Sequence, residues 1–256
     1  MPKRRPAPRE LKVRGSQQIT PNMLRITVGG EGLAGFPESQ DGGYVKLMLN
    51  PTEGSSKPIV RTYTIRAQRP DELDIDFVMH DVEGHAGPAT EWALNASPGE
   101  TIMVGGPGPA KPLPSGFDNY VITGDMSALP AISVNLENLP ASATGIALLE
   151  IQHEDDRQAI DHPEGVAIHW IVNPRPGEEP NLLLNTLKKQ DWPAGSVYAW
   201  TASEFATMRG LRNYFMEEHG LTREAIYFSS YWKKGSNEDS HKDIKRQYME
   251  SVGAVL

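Results

Sequence analysis

The chain contains no cysteine. That excludes disulfides, thiolate catalysis, cysteine-bound zinc and iron–sulfur clusters, so any electron transfer needs another carrier. No apolar run reaches the ~18 residues of a membrane-spanning helix. The first ten residues, "MPKRRPAPRE", are basic but lack the apolar stretch of a secretion signal. They read as a disordered tail, 1–10, on a cytoplasmic chain with no integral-membrane part. Basic charge is also short: 25 Lys and Arg against 33 Asp and Glu leave a net charge of −8. That argues against general nucleic-acid binding, which needs a basic surface. The seven histidines form no HExxH or similar set, so no bound metal is expected. What is present suffices for real cores: 38% of the residues are apolar, and 256 residues suit one large domain or two ordinary ones.

The first hundred residues read as short strands punctuated by Gly, Pro and Asn: "LKVRGSQQI", "MLRITVGG", "YVKLMLN", "RTYTIRAQ", "ELDIDFVMH" and "TIMVGG". In "ELDIDFVMH", Leu73, Ile75, Phe77 and Met79 face one way, while Asp74, Asp76, Val78 and His80 face the other. This predicts a six-stranded antiparallel β-barrel over 11–110. Between its last two strands, 90–95 reads as a short helix entered from a Gly-rich loop. "GGPGPAKPLPSG", 105–116, reads as a Pro/Gly hinge. Beyond it, strands such as "NYVITGD", "GIALLEIQHE", "GVAIHWIV", "SVYAWTAS" and "AIYFSSYW" alternate with helical segments. That predicts a Rossmann-like parallel α/β domain over 117–232. Residues 233–256 read as a basic C-terminal segment with a short helix near "DIKRQYMES".

A barrel followed by a parallel α/β domain can host a flavin and a nicotinamide. "GHAGPAT", 84–90, offers small residues for close backbone approach to a phosphate, and Thr90 as the cap of a helix whose N–H groups would face an anion. In "RTYTIR", Arg61 would add a charge-assisted bond to the same phosphate. Tyr63 would pack on the isoalloxazine and Thr64 would bond its edge. Each motif alone reads better as a plain turn or a solvated strand; their conjunction points to a flavin nucleotide.

The ordered motifs "RTYT", "HDVEGHAGPATEWA", "GDMSALPAI", "SEFATMRGLRNYFMEEHGL" and "YWKKG" resemble those of the siderophore-interacting, FAD-dependent ferric-chelate reductases, within the ferredoxin–NADP reductase superfamily. The resemblance covers nearly the whole chain. It implies FAD held by Arg61, Tyr63 and Thr64, and by His80, Ala86, Gly87, Ala89, Thr90 and Trp92. "VITGDMSALPAI" resembles the first strand-to-helix turn of the family's nicotinamide domain: Gly124 and Asp125 at the turn, and Ser127 to cap the helix or bond a phosphate. Met126 stands where many members have an acid. Glu204 would sit near the nicotinamide or flavin, Trp232 would border the flavin, and Arg209 or Arg212 would either meet a phosphate or form a solvated face.

Glu154, Asp155 and Asp156 end the strand where adenosine ribose docks. They favour ribose hydroxyls over a 2′-phosphate and so NADH over NADPH; Arg157 argues the other way. Lys233, Lys242, Lys245 and Arg246, with Lys46 from the barrel, would attract an anionic ferric siderophore. The implied activity passes electrons from NAD(P)H through FAD to chelated Fe(III), with no protein nucleophile or general base. Reduced ferredoxin stays open as a donor. The alternatives are a general flavin or ferredoxin-type reductase, and a flavin-bound siderophore-binding protein without nicotinamide activity.

Overall fold

The computed structural model describes residues 7–50, 57–79, 87–236 and 238–253. The chain divides into two compact units. One comprises Met1–Pro112, Pro130–Asn138 and His153–Asp161; the other comprises Leu113–Leu129, Leu139–Gln152 and His162–Leu256.

The first unit holds β1 (Arg9–Thr20), β2 (Met23–Gly29), β3 (Tyr44–Leu49), β4 (Ile59–Thr64), β5 (Ala67–Arg69), β6 (Glu72–Val78), α1 (Pro88–Asn95) and β7 (Thr101–Gly108). The strands pair antiparallel in the order β4-β3-β7-β1-β2-β6-β5, and β4 also lies against β6, which curls the sheet into a barrel. Period-2 alternation fills its core. Val45, Leu47 and Leu49 on β3 meet Leu73, Ile75 and Phe77 on β6, each such side chain contributing about 1.5–3 kcal/mol by burial.

Asp74 and Asp76 sit on the opposite face of β6 yet are buried too. Arg25 grips Asp76 through Nε at 2.7 Å and Nη2 at 2.9 Å. Arg69 grips Asp74 at 2.7 and 2.8 Å, and the Thr27 hydroxyl donates to Asp74 at 2.7 Å. These charge-assisted bonds satisfy carboxylates that would otherwise resist burial.

The barrel differs from expectation in three places. Among the described residues its sheet has seven strands, not six, because "RTYTIRAQ" breaks at a corner. Ile65 is fully buried and donates to Gly43, while Arg66 donates to Asp74, so the chain changes partners there. β7 runs on to Gly108, into the expected hinge. The Tyr44 ring crosses the backbone at Gly108, where a Cβ would stand 2.0 Å from Cζ of that ring. The expected disordered tail also ends sooner: Arg9 opens β1 and donates to the carbonyls of Gly32, Ala34 and Gly35 at 2.7–3.0 Å.

The second unit is built on a parallel sheet of β8 (Asn119–Gly124), β9 (Thr144–Ile151), β10 (Val166–Val172), β11 (Val197–Glu204) and β12 (Ile226–Trp232), in the order β10-β9-β8-β11-β12. The helices along this part of the chain are α2 (Leu129–Glu137), α3 (Leu182–Leu187), α4 (Phe205–Asn213) and α5 (Glu238–Ser251). Every residue of β11 is buried, as suits an inner strand of a parallel sheet. Leu183, Leu187, Leu211 and Phe215 pack on Val121, Leu148, Ala199 and Ile226. The sheet order reverses direction between β8 and β11, so the carboxyl ends of these strands flank a topological switch point, where open α/β sheets bind ligands.

The C-terminal helix is longer than expected and docked. His241 is buried with its Nε2 at 2.6 Å from the Ser230 hydroxyl. Lys245 Nζ donates to the Ser229 hydroxyl at 2.8 Å and the Ser230 carbonyl at 2.9 Å. Among the described residues no helix is long and apolar enough to cross a membrane, and no cluster of His, Asp and Glu could hold a metal ion.

Candidate functional site

The register of β3 with β4 sorts "RTYT" onto two faces. Arg61 lies opposite Leu47 and Tyr63 opposite Val45, on the face of the core residues. Thr62 lies opposite Lys46, and Thr64 opposite Tyr44, on the other face. The half-buried Tyr63 ring rests on Phe77 with centroids 4.3 Å apart, and Phe77 lies 5.7 Å from Trp92. Phe77 is fully buried, so this row of rings is fixed from beneath. Arg61 is half-buried and donates to the Val60 carbonyl at 3.0 Å.

Helix α1 starts one turn earlier than Thr90 capping would require. Its N-cap is Gly87, with no side-chain cap bond, and Pro88 follows. Ala89 and Thr90 are buried inside the first turn, so Thr90 anchors the helix and does not cap it. Gly87 is exposed, and a Cβ there would meet nothing within 4 Å. Among the described residues no side chain caps this helix end, which carries a partial positive charge. A guanidinium, a ring seated on a buried phenylalanine and a helix N-terminus fit the pyrophosphate and flat ring of FAD. His80 and Ala86 lie outside the described residues.

In the second unit, Asp125 gathers the other candidates. Gly124 ends β8. The Asp125 carboxylate accepts from the Ser127 N–H at 3.0 Å, the Ser127 hydroxyl at 2.5 Å, the Glu204 N–H at 2.8 Å and the Trp232 indole N–H at 2.8 Å. The Ser127 hydroxyl thus serves Asp125 and does not cap α2, which begins at Leu129. Glu204 is the N-cap of α4: its Oε2 accepts from Ala206 N–H at 2.5 Å and Thr207 N–H at 3.3 Å, and its Oε1 accepts from Lys234 N–H at 3.2 Å. Met126 is buried, its sulfur accepting from the Gln152 amide at 3.5 Å.

One acid was not singled out from the sequence. Glu150, near the end of β9, is buried and bonded by the Asn173 amide at 3.0 Å. Burial, and then the neighbouring Asp125, push its carboxyl up to about 7 against the Asn173 bond; Glu179 and Glu204 push the same way. Burial raises Asp125 as well, despite its donors. A lone acid inside the apolar run "GIALLEI" was the available signal.

The remaining charged candidates are mostly spoken for. Asp156 is fully buried and accepts from Thr20 and Asn22 at 2.8 Å, so it cannot meet a ribose. Glu154 pairs with Arg157 at 2.5 Å, and both are exposed. Arg209 lies over Phe205 and Tyr248, and Arg212 over Phe228. Lys233 Nζ stands 5.9 Å above the Phe205 ring. Arg246 pairs with Asp243 at 2.8 Å, and Lys234 with Glu178 at 2.9 Å. Lys242 is exposed and Lys46 half-buried. Helix α5 carries Glu238, Asp239, Asp243 and Glu250 beside its three cations, so the expected basic segment is not basic as a helix.

An antiparallel barrel with a flavin-type cradle, followed by a parallel α/β unit, defines the ferredoxin–NADP+ reductase class of fold. Solved ferredoxin–NADP+ reductases share it at TM-scores of 0.61 to 0.67 and identities of 11 to 14%, a likeness of fold alone. The family follows from closer matches. Residues 12–56 and 50–111 match the model of the siderophore-interacting FAD-binding domain, and 117–235 match that of the siderophore-interacting protein. The chain belongs to the siderophore-interacting protein family. It is 35% identical to the ferric vibriobactin reductase ViuB of Vibrio cholerae over 263 residues, covering 95% of this chain and 96% of that one. It is 32% identical to the siderophore-interacting protein SipS from Aeromonas hydrophila, with a TM-score of 0.84 over 95% and 98% of the two chains. A siderophore utilization protein from T. fusca matches at 31% identity and a TM-score of 0.80 over 90% and 94%.

Proposed function

We propose that this chain is an FAD-dependent ferric-siderophore reductase drawing on NAD(P)H. The observation that carries the reading is the Tyr63 ring seated on Phe77, on an edge strand that also bears Arg61 on the same face. The family membership and the likeness to ViuB support the substrate class. FAD held there would supply the redox chemistry, taking a hydride from NAD(P)H and passing electrons singly to two chelated Fe(III), each released as the less tightly held Fe(II).

The protein's own part is binding and orientation. Tyr63 would carry the flat ring, Thr64 would bond its edge, and Arg61 with the Gly87 end of α1 would hold the pyrophosphate. Ala89, Thr90 and Trp92 fix α1 on the barrel. Gly124, Asp125, Ser127, Glu204 and Trp232 form the carboxyl edge of the parallel sheet, where the nicotinamide donor would bind. NADH is the favoured donor: Glu154 offsets Arg157, and the exposed Asp155 carboxylate, 3.4 Å from His153 Nδ1, would repel a 2′-phosphate. Lys46, Lys233, Lys242 and Arg246 would attract the anionic chelate; Lys245 contributes by pinning α5.

The test is anaerobic absorbance at the flavin band. NADH or NADPH is added first, then a ferric siderophore with an Fe(II) trap. Bleaching, followed by reoxidation as trapped Fe(II) appears, is the expected result. A flavin that neither nicotinamide bleaches would move a protein donor such as reduced ferredoxin, or a binding-only role, ahead of this reading.

A further inference from the structure

The carboxylate of Asp125 is used up inside its own unit. Oδ1 accepts from the Ser127 N–H and hydroxyl, and Oδ2 from the Glu204 N–H and the Trp232 indole. Three of those donors are N–H groups that cannot reverse. The residue is buried, and all four bonds run to groups of the same unit. What the bonds do is draw together the carboxyl ends of β8, β11 and β12.

Trp232 is the side chain these bonds control. β11 and β12 lose register between Ser203 and Glu204, so that Ser203 pairs with Ser230 but Glu204 pairs with Trp232. Such an irregularity re-aims the side chain that follows it. The indole N–H then meets Asp125 at 2.8 Å. The far end of the ring lies against Gly177, where a Cβ would come within 2.9 Å of Cη2. The half-buried ring is thus held at both ends.

We propose that Asp125 is a positioning residue, not a cofactor ligand: it fixes the Trp232 indole at the carboxyl edge of the sheet as the surface that receives the flat ring of the nicotinamide donor. This rests on the nicotinamide reading proposed above. Its test has a spectroscopic and a kinetic arm. In ¹⁵N-labelled holoprotein, the Trp232 indole N–H signal is identified by its loss in Trp232→Phe. In Asp125→Asn that signal is expected to shift, and its exchange with solvent to speed up by about tenfold or more.

In rapid mixing with NADH, each single variant is expected to slow flavin reduction by about five- to tenfold, with FAD affinity unchanged. The double variant should be no slower than the slower single one, because both act through one ring. Unchanged indole exchange in Asp125→Asn overturns the proposal, as does a double variant slowed by the product of the single factors. Should Asp125→Asn fail to fold, Trp232→Phe decides alone: reduction at the wild-type rate overturns the role. If neither nicotinamide reduces the wild-type flavin, the donor reading fails, and indole exchange still reports whether Asp125 holds Trp232.

Discussion

At the scale of single residues, the candidate site consists of side chains whose partners restrict what they can do. Arg61 shares a face with Tyr63 on the edge strand β4 and is only half-buried. Arg61→Ala should therefore leave the fold intact and weaken FAD binding by roughly 1.5–3 kcal/mol, the worth of a charge-assisted bond, or about ten- to a hundredfold in Kd. Flavin fluorescence titration of the apoprotein measures this; an unchanged Kd would remove the pyrophosphate from Arg61. "RTYT" stands out in the sequence because Arg, Tyr and Thr on one strand are an unusual set. Ser127 and Glu204 were legible as positions but not as roles. Their polar atoms are taken by Asp125 and by the α4 N-terminus, choices that depend on groups remote in sequence.

At the scale of elements, two polar devices decide how strands and helices are fastened. The first is the Asp74 cluster between β2, β5 and β6. Burial pushes its carboxyl up, but Arg69, Thr27 and then Arg25 outweigh that and hold it below the ordinary carboxylate range. A lowered folded value means stability that is present above the unfolded carboxylate's pKa, about 3.9, and lost as pH falls through the folded one. Asp74→Asn should cost about 1–3 kcal/mol at neutral pH. The gap from wild type should close in acid; a gap in urea midpoints that persists in acid would contradict it.

The second device is the α5 dock. Burial, then Lys245, Lys233 and Lys242, push His241 down to about 4. Between about 6.5 and 4 the unfolded imidazole binds a proton that the docked one does not, so docking weakens as pH falls through that window. Amide exchange in α5, corrected for intrinsic rate, should quicken from pH 7 to pH 5 in the wild type, and His241→Asn should flatten that dependence. An α5 whose exchange, corrected for intrinsic rate, ignores pH would refute the role.

At the scale of the whole molecule, the balance of charge bears on the substrate. The chain is acidic, at −8, and most cations near its C-terminus are paired or pinned. Lys242, exposed on α5, is the proposed docking cation that a charge reversal tests. Lys242→Glu should raise KM for an anionic chelate severalfold at low salt, leave a neutral chelate unaffected, and lose its effect as salt shortens the Debye length to ~3 Å near 1 M. Equal KM values for wild type and variant at low salt would move docking elsewhere.

The amino-acid sequence by itself determined the barrel, the parallel α/β unit and the cofactor class. Period-2 alternation, β/α alternation and punctuation by Gly and Pro are local signals, and each strand carries its own. The exclusion of thiol and iron–sulfur chemistry is equally a property of composition. Tertiary structure alone decided which polar groups meet. Asp156 bonds Thr20 from 136 residues away, and Trp232 bonds Asp125 across 107. Nothing local announces such pairs, because a carboxylate reads alike whether it will face water, a ribose or a buried N–H. Its burial, and with it its role, is fixed only when distant strands close around it.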